Sequence, residues 1–266
     1  MSLLTGLLAA AIALCAIMAG AWQVQRLTGN SGWIDTIWTF GTGAVACALA
    51  LAPLSGESGP DWRQWLAAAF AASWSLRLGW HIFSRTRGVE DDPRYRAKMA
   101  SWGSRAASRL FWFLQAQAAI GLLLAGAVML AAHNPEEHFR WLDGLAVALF
   151  ALGIIGEALA DAQLRQFKQQ SPAPGVVCET GLWAWSRHPN YFCEWLCWCA
   201  YPLLAIASGF APGWLALLAP LCMYWTLVYA SGIPPLEAHM RRTRPAAFAA
   251  YAQRTNAFFP APPRRH

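Results

Sequence analysis

Seven stretches of mostly apolar residues follow one another along the chain, at roughly 3–22, 33–53, 65–83, 109–131, 141–160, 191–208 and 214–232. A helix that crosses a bilayer needs about 20 such residues, so the spacing predicts a membrane protein that crosses repeatedly. Only 13% of the 266 residues are charged, against about 25% in soluble domains. That is too little charge to wet a surface of this size. Disorder is excluded as well, because aromatic residues make up 13% of the chain and Trp alone numbers 16. So many Trp can furnish belts at both membrane interfaces. The fold class is therefore all-α, an integral membrane bundle of about seven transmembrane helices. Short joints bearing Gly or Pro separate them, for example Pro53–Pro60, Pro135 and Pro212–Gly213. The sixth stretch is short and the fifth carries a carboxylate. The first has neither a basic leader nor a small-residue cleavage site before a soluble domain, and it reads as a retained helix.

The net charge of +6 and the pI near 9.1 raise the question of nucleic acid. The positions of the basic residues answer it. Sixteen of the twenty fall in one alternate set of loops and the tail: Arg26, the run from Arg85 to Arg105, Arg165, Lys168, Arg187, and the run from Arg241 to Arg265. The other set of loops holds Arg63 and Arg140. Basic loops stay in the cytoplasm, so the amino terminus is expected outside and the carboxy terminus inside. Topology accounts for the pI, and no nucleic-acid partner is called for. Seven Cys show no metal-ligand spacing, and most lie in the apolar runs, so neither a metal site nor a disulfide framework is expected.

The charges left near the apolar runs carry the functional argument. Asp35 stands at the start of the second run, and Arg77, His81 and Arg85 recur on one face of the third. An ionisable group inside a membrane costs at least about 2.5–3.5 kcal/mol on insertion scales and faces the bundle interior. Asp35 therefore either pairs with Arg77 or Arg85 to join two helices, or lines a polar cavity. Glu157, Asp161, Arg165 and Lys168 form a second stripe as the fifth run ends. Four-residue spacing of opposite charges stabilises an exposed helix, but Glu157 still lies at membrane depth. Such a stripe offers carboxylates to ribose hydroxyls and cations to phosphate. Downstream, Ser186-Arg-His-Pro-Asn-Tyr191 precedes a helix with Pro189 in its first turn, which places Asn190 and Glu194 on one face. Arg187 and His188 make a cationic entrance, while Trp183 and Trp185 offer flat surfaces for a ring. The polar segment from Gly232 through Glu237, His239 and Tyr251 to Thr255 is placed to close over the others.

These motifs resemble the carboxy-terminal half of the membrane steroid 5α-reductases, and over nearly the whole chain they resemble the bacterial branch of unassigned function (DUF1295-type). The carrying residues are Ser186–Tyr191, Glu237, the tail from Arg244-Pro245 through Tyr251 and Thr255 to Phe259-Pro260, Asp35, and the Asp-Pro-Arg-Tyr loop at Asp92–Tyr95. Sterol C14 and C7 reductases share the Arg-His-Pro-Asn-Tyr core. The resemblance implies a single membrane domain in a bacterial inner membrane, with substrate-side helices over 1–132 and an NADPH-binding half over 133–266. The cofactor would be held by Asp161, Arg165 and Lys168, with Glu157 standing where the steroid enzymes have Asn. Trp183 would pack on it, Arg187, His188, Asn190, Tyr191 and Glu194 would position it, and Glu237, His239 and Tyr251 would complete its phosphate and adenosine end. Arg85 and Arg94 would contribute from the loop before the fourth run.

One departure bears on the reaction. The steroid enzymes polarise their enone with a Glu in the second span and a Tyr in the third, whereas the second run here offers Asp35 and the third offers His81 without a Tyr. The expected activity is NADPH-dependent reduction of a conjugated double bond in a lipophilic substrate that enters from the bilayer. Asp35, His81 or Tyr95 would stabilise the enolate oxygen. An alternative is an isoprenylcysteine-type methyltransferase using S-adenosylmethionine, which shares the Arg-His-Pro-x-Tyr turn. Another is a lipid-binding protein without catalysis. No protein partner is implied.

Overall fold

Helix covers most of each of the seven apolar stretches, and a helix satisfies its backbone groups from within the segment, as a chain must where water is absent. A computed structural model of the protein describes residues 2–54, 59–87, 91–170 and 175–264. Arg265 of the basic tail and part of the Pro53–Pro60 joint lie outside the described residues. The helices are α1 (Leu3–Thr28), α2 (Gly32–Leu51), α3 (Trp62–Thr86), α4 (Pro93–Trp102), α5 (Ala106–Ala132), α6 (Trp141–Gln169), α7 (Pro189–Ala205), α8 (Leu218–Trp225), α9 (Ile233–Thr243) and α10 (Pro245–Arg254). No strand occurs among the described residues.

Among those residues, five helical stretches are long and apolar enough to cross a membrane: Leu3–Thr28, Gly32–Leu51, Pro93–Ala132, Trp141–Gln169 and Ala211–Thr243. The other two expected spans fall to α3, which carries Arg63, Arg77, His81 and Arg85, and to α7, which has 17 residues. α1 shows what surrounds the protein. It buries Gly6, Ala10, Leu14, Met18 and Ala21, three or four residues apart, while Leu4, Leu8 and Ile12 on its other faces stay exposed. A helix that is apolar all round but packed on one face has hydrocarbon as its solvent.

The chain forms two compact units, the first made of Met1–Phe139 with Tyr201–Ala219 and the second of Arg140–Ala200 with Pro220–His266. In the first, α2 and α3 run antiparallel. Gly43 lies against Ser75 and Gly79 against Phe40, and Ser75 Oγ donates to Thr39 O at 3.1 Å. The buried Thr36 and Thr39 hydroxyls donate to the carbonyls of Gly32 and Asp35 one turn back, so α2 carries these two polar groups inward without orphaning them. The core of this unit gathers Leu14, Met18, Ile34, Tyr95, Leu110 and Leu114.

Arg63 departs from its expected place in an exposed loop. It belongs to the first turn of α3 and is fully buried. Its guanidinium donates to the carbonyls of Leu204, Glu136 and His138 at 3.3–3.5 Å and lies 4.4 Å from the Trp62 ring centroid. Backbone oxygens and a π face thus do the work that water does for a loop arginine.

In the second unit α6 and α7 run antiparallel in close contact. A Cβ on Gly153 would stand 2.5 Å from Cys197 Sγ and 2.8 Å from Cys193 O, and one on Gly156 would stand 2.7 Å from Cys193 Sγ. Small residues let two helices pack this tightly. Gly153→Val should therefore lower the thermal midpoint in detergent by an amount corresponding to about 1–3 kcal/mol of overpacking. Gly20→Val, where a Cβ meets nothing within 4 Å, should leave the midpoint unchanged, and equal midpoints for both variants would contradict the packing.

Candidate functional site

Two polar clusters are built from the residues that stand out in the sequence, one in each unit. The first centres on Asp35. The loop before α4 ends in Asp92, whose carboxylate accepts from Arg94 N at 2.9 Å, and Pro93 follows as the first helical residue. An Asp cap followed by Pro is a strong helix start, and it aims the next two side chains back at α2. Arg94 donates to Asp35 Oδ2 at 2.6 Å and to Asp92 Oδ2 at 2.8 Å, while Tyr95 Oη donates to Asp35 Oδ1 at 2.7 Å. Gln117 of α5 donates from Nε2 to Tyr95 Oη at 3.0 Å. Asp91 accepts from Ser31 N at 2.9 Å and fastens the loop to the start of α2.

Asp35 is thus held by Arg94 and Tyr95, and neither Arg77 nor Arg85 pairs with it. Arg85 is half exposed and reaches Asp92 at 3.9 Å. His81 sits half-buried on α3 and makes no bond to the Asp35 carboxylate. Burial pushes the Asp92 carboxyl up, but the hydrogen bonds and charge of Arg94, with Arg85 behind it, outweigh burial and hold it below the ordinary aspartate range.

The second cluster forms where α6, a tight turn at Gly181–Ala184, the start of α7, α9, α10 and the tail come together. Asp161 is buried on α6, and Asn190 Nδ2 donates to its Oδ1 at 3.3 Å. Glu157 and Glu194 are buried on α6 and α7, the latter accepting from Trp198 Nε1 at 3.0 Å. Arg165 and Lys168, one and two turns beyond Asp161, are exposed and form no ion pair among the described residues. Trp183 is buried with its indole N–H on Ala160 O at 2.9 Å. Gln163 accepts from Leu182 N at 2.9 Å and anchors the same turn.

Arg187 is spent on the fold. Its Nε donates to Glu237 Oε1 at 2.8 Å, its NH2 lies 2.7 Å from the same oxygen, and its NH1 donates to the carbonyls of Thr255 and Ala252. Glu237 also receives Arg241 at 3.0 Å and stands 3.4 Å from His188 Nε2. His188 stacks on Tyr191 with ring centroids 5.6 Å apart. Tyr251 donates to the carbonyls of Trp183 and Ser186, and burial pushes its phenol up, so it remains a donor throughout the physiological range. Ser186 Oγ donates to Phe258 O at 2.8 Å and accepts from His188 N at 3.1 Å. His239 is exposed on α9.

Of the side chains expected around a dinucleotide, the structure brings Asp161 and Asn190 together beside Arg165 and Lys168. It joins Arg187, His188, Glu237 and Tyr251 in a knot that closes the carboxy-terminal cap. Arg85 and Arg94 join Asp35 and Tyr95 in the first unit. Gln117 is the participant that the sequence analysis missed, although an amide inside an apolar run was a readable signal.

Removing one partner of a buried pair strands the other charge, at about 3–5 kcal/mol. Arg187→Ala should therefore cost that much stability, and adding Glu237→Gln should restore part of it. Additive losses in a double-mutant cycle would refute the pairing. A carboxyl held low stabilises the fold above its unfolded pKa and loses that contribution as pH falls through its folded one. Wild-type thermal stability should thus fall below about pH 4 more steeply than that of Asp92→Asn, which parallel acid titrations would reveal.

A family model described as a protein of unknown function (DUF1295) matches residues 21–255. Uncharacterized protein C594.04c of Schizosaccharomyces pombe is 27% identical over 219 residues. The match covers 73% of this chain and 63% of that relative, so the chain spans less than two thirds of the relative's length. No solved structure matches.

Proposed function

The chain belongs to the DUF1295 family of proteins of unknown function, within the steroid 5α-reductase-like superfamily, and from that premise we propose that it is an NADPH-dependent membrane reductase of a conjugated carbon–carbon double bond in a lipophilic substrate. The observation that carries this reading is the Asp35–Tyr95 pair, with phenol and carboxylate 2.7 Å apart. The carboxylate stands at the start of the second apolar run, and the phenol beside it is the group that the third run lacks. The phenol comes from α4 instead.

The second unit's donor set fits a dinucleotide. Asp161 and Asn190 suit ribose hydroxyls, and Arg165 and Lys168 are cations left available for phosphate. Arg187 and Glu237 hold the carboxy-terminal cap of the same unit together. NADPH, when bound, supplies a hydride. The residues of this chain bind, orient and polarise. Arg94 neutralises Asp35, which weakens the carboxylate's hold on the Tyr95 proton. As negative charge gathers on the carbonyl oxygen of the substrate, that oxygen becomes the better acceptor and draws the phenol's hydrogen bond. The β-carbon gains the hydride, the π electrons move to the oxygen as an enolate, and a proton then adds at the α-carbon. Exposed Trp62 and Trp65 at one end of α3 and exposed Trp80 at the other lie about 25 Å apart at roughly 1.5 Å per residue, which supports a spanning orientation for this helix. We take the chain to cross seven times as a bacterial inner-membrane protein, with its amino terminus outside and the cofactor side in the cytoplasm, on the strength of the basic loops.

The test is a titration of the detergent-purified protein with NADPH, NADH and S-adenosylmethionine, read by quenching of Trp fluorescence. NADPH should saturate the signal, and Arg165→Ala and Asn190→Ala should each weaken it. Saturation by S-adenosylmethionine without NADPH would replace the reductase reading with a methyltransferase. Tyr95→Phe should leave NADPH affinity unchanged.

A further inference from the structure

The polar line that begins at Arg94 does not end at Tyr95. Asp35, an acceptor on both oxygens, takes Arg94 on one and the Tyr95 hydroxyl on the other. Tyr95 has a single proton, and that proton points at Asp35. Its oxygen must therefore accept from Gln117, which fixes the amide with Nε2 toward the phenol and Oε1 away from it. Gln117 Oε1 is buried and accepts nothing.

A second unfilled group lies along the same seam of α2 and α5. Thr42 is fully buried and its Oγ1 has no partner. It packs against Gly121, one turn beyond Gln117, where a Cβ would come 2.9 Å from Thr42 Oγ1 and 3.4 Å from Trp38 Nε1. Trp38 itself donates to Gln117 O at 2.9 Å. Two orphaned polar atoms thus belong to one seam of α2 and α5, which the Trp38 indole bridges through the Gln117 backbone carbonyl. A buried acceptor without a donor costs about 1–3 kcal/mol, a cost that a donor carried by a ligand would remove.

We propose that Gln117 is a positioning and specificity residue: its Nε2 orients the Tyr95 phenol, and its Oε1 accepts a hydroxyl or N–H carried by the substrate on the carbon next to its carbonyl. The two atoms of one amide sit side by side. A carbonyl oxygen that meets Tyr95 therefore brings the neighbouring carbon's substituent to Oε1. The carbonyl half of this assignment rests on the reductase reading, whereas the donor preference follows from the orphaned acceptor. The ligand class is a lipophilic α-hydroxy or α-amino ketone, and a plain ketone leaves Gln117 unsatisfied.

The experiment compares a long-chain alkyl cyclohexenone with its analogue bearing a hydroxyl next to the carbonyl. Binding is read by thermal shift on wild type, Gln117→Leu and Gln117→Glu, and NADPH quenching is followed in the same samples. Wild type should prefer the hydroxylated probe by up to about tenfold, the worth of one neutral hydrogen bond. Gln117→Leu should lose the preference. Gln117→Glu keeps an acceptor while removing the donor to Tyr95, so it should retain the preference and shift the pH profile of probe reduction. The same preference in Gln117→Leu as in wild type, or none in wild type, would overturn the assignment. If the preference depends on Gln117 but NADPH does not bind, the reductase reading fails and the donor site stands.

Discussion

Arg187 is largely buried among one carboxylate and two backbone carbonyls, and the carboxy-terminal cap of the second unit closes around that charge. Desolvating a guanidinium is costly, and the cost is recovered only when every donor finds an acceptor with good geometry. Glu237 from α9 supplies one, and the chain beyond Tyr251 supplies the others. The neighbouring backbone follows suit. Arg187 N donates to Asn256 O, Ala261 N donates to Trp185 O, and the Ser186 hydroxyl bonds Phe258 O. Satisfying a single cation thus lays the tail along the turn that precedes α7. That turn in turn sets where α7 begins, and with it the placement of Asn190 against Asp161.

The first unit meets the same constraint with different means. Its buried polar groups are spread through an apolar bundle, and several are tied to something close in space but distant in sequence. Asp35 reaches α4, Tyr95 reaches α5 through Gln117, and His133 bridges Gln64 and the carbonyl of Leu49. In a low-dielectric setting such bonds are strong when complete and expensive when they are not. They single out one register between helices whose apolar faces alone could slide.

The helices could be read from the sequence because long apolar runs leave the backbone no other way to satisfy itself. The starts of α3 and α4 went unread, and Asp92–Tyr95 reads as a loop, although Asp61 and Asp92, whose side chains cap the first turns, are the signal. Pairings were not legible, since charge in a sequence says nothing of where its partner lies. Arg63 reads as a loop residue and is buried on carbonyls from two other segments. Arg187 and Glu237 read as groups that reach for a cofactor, and their pairing with each other, 50 residues apart in the chain, was not foreseen. Tyr95 was picked out from its loop, but its bond to Asp35 spans 60 residues of chain, which no local pattern encodes. Gln117 went unnoticed although an amide in a hydrophobic run is a signal in itself; what it binds is known only from its neighbours.

The burial of Arg63 also dictates an order of events during biogenesis. Its carbonyl acceptors lie 73, 75 and 141 residues further along the chain. The carbonyls of Glu136 and His138 are synthesised first and that of Leu204 last, so these three acceptors stand together only once α7 has been made. Closure of the first unit around the guanidinium is therefore a late event in translation, and a chain cut short before Leu204 lacks one of the three.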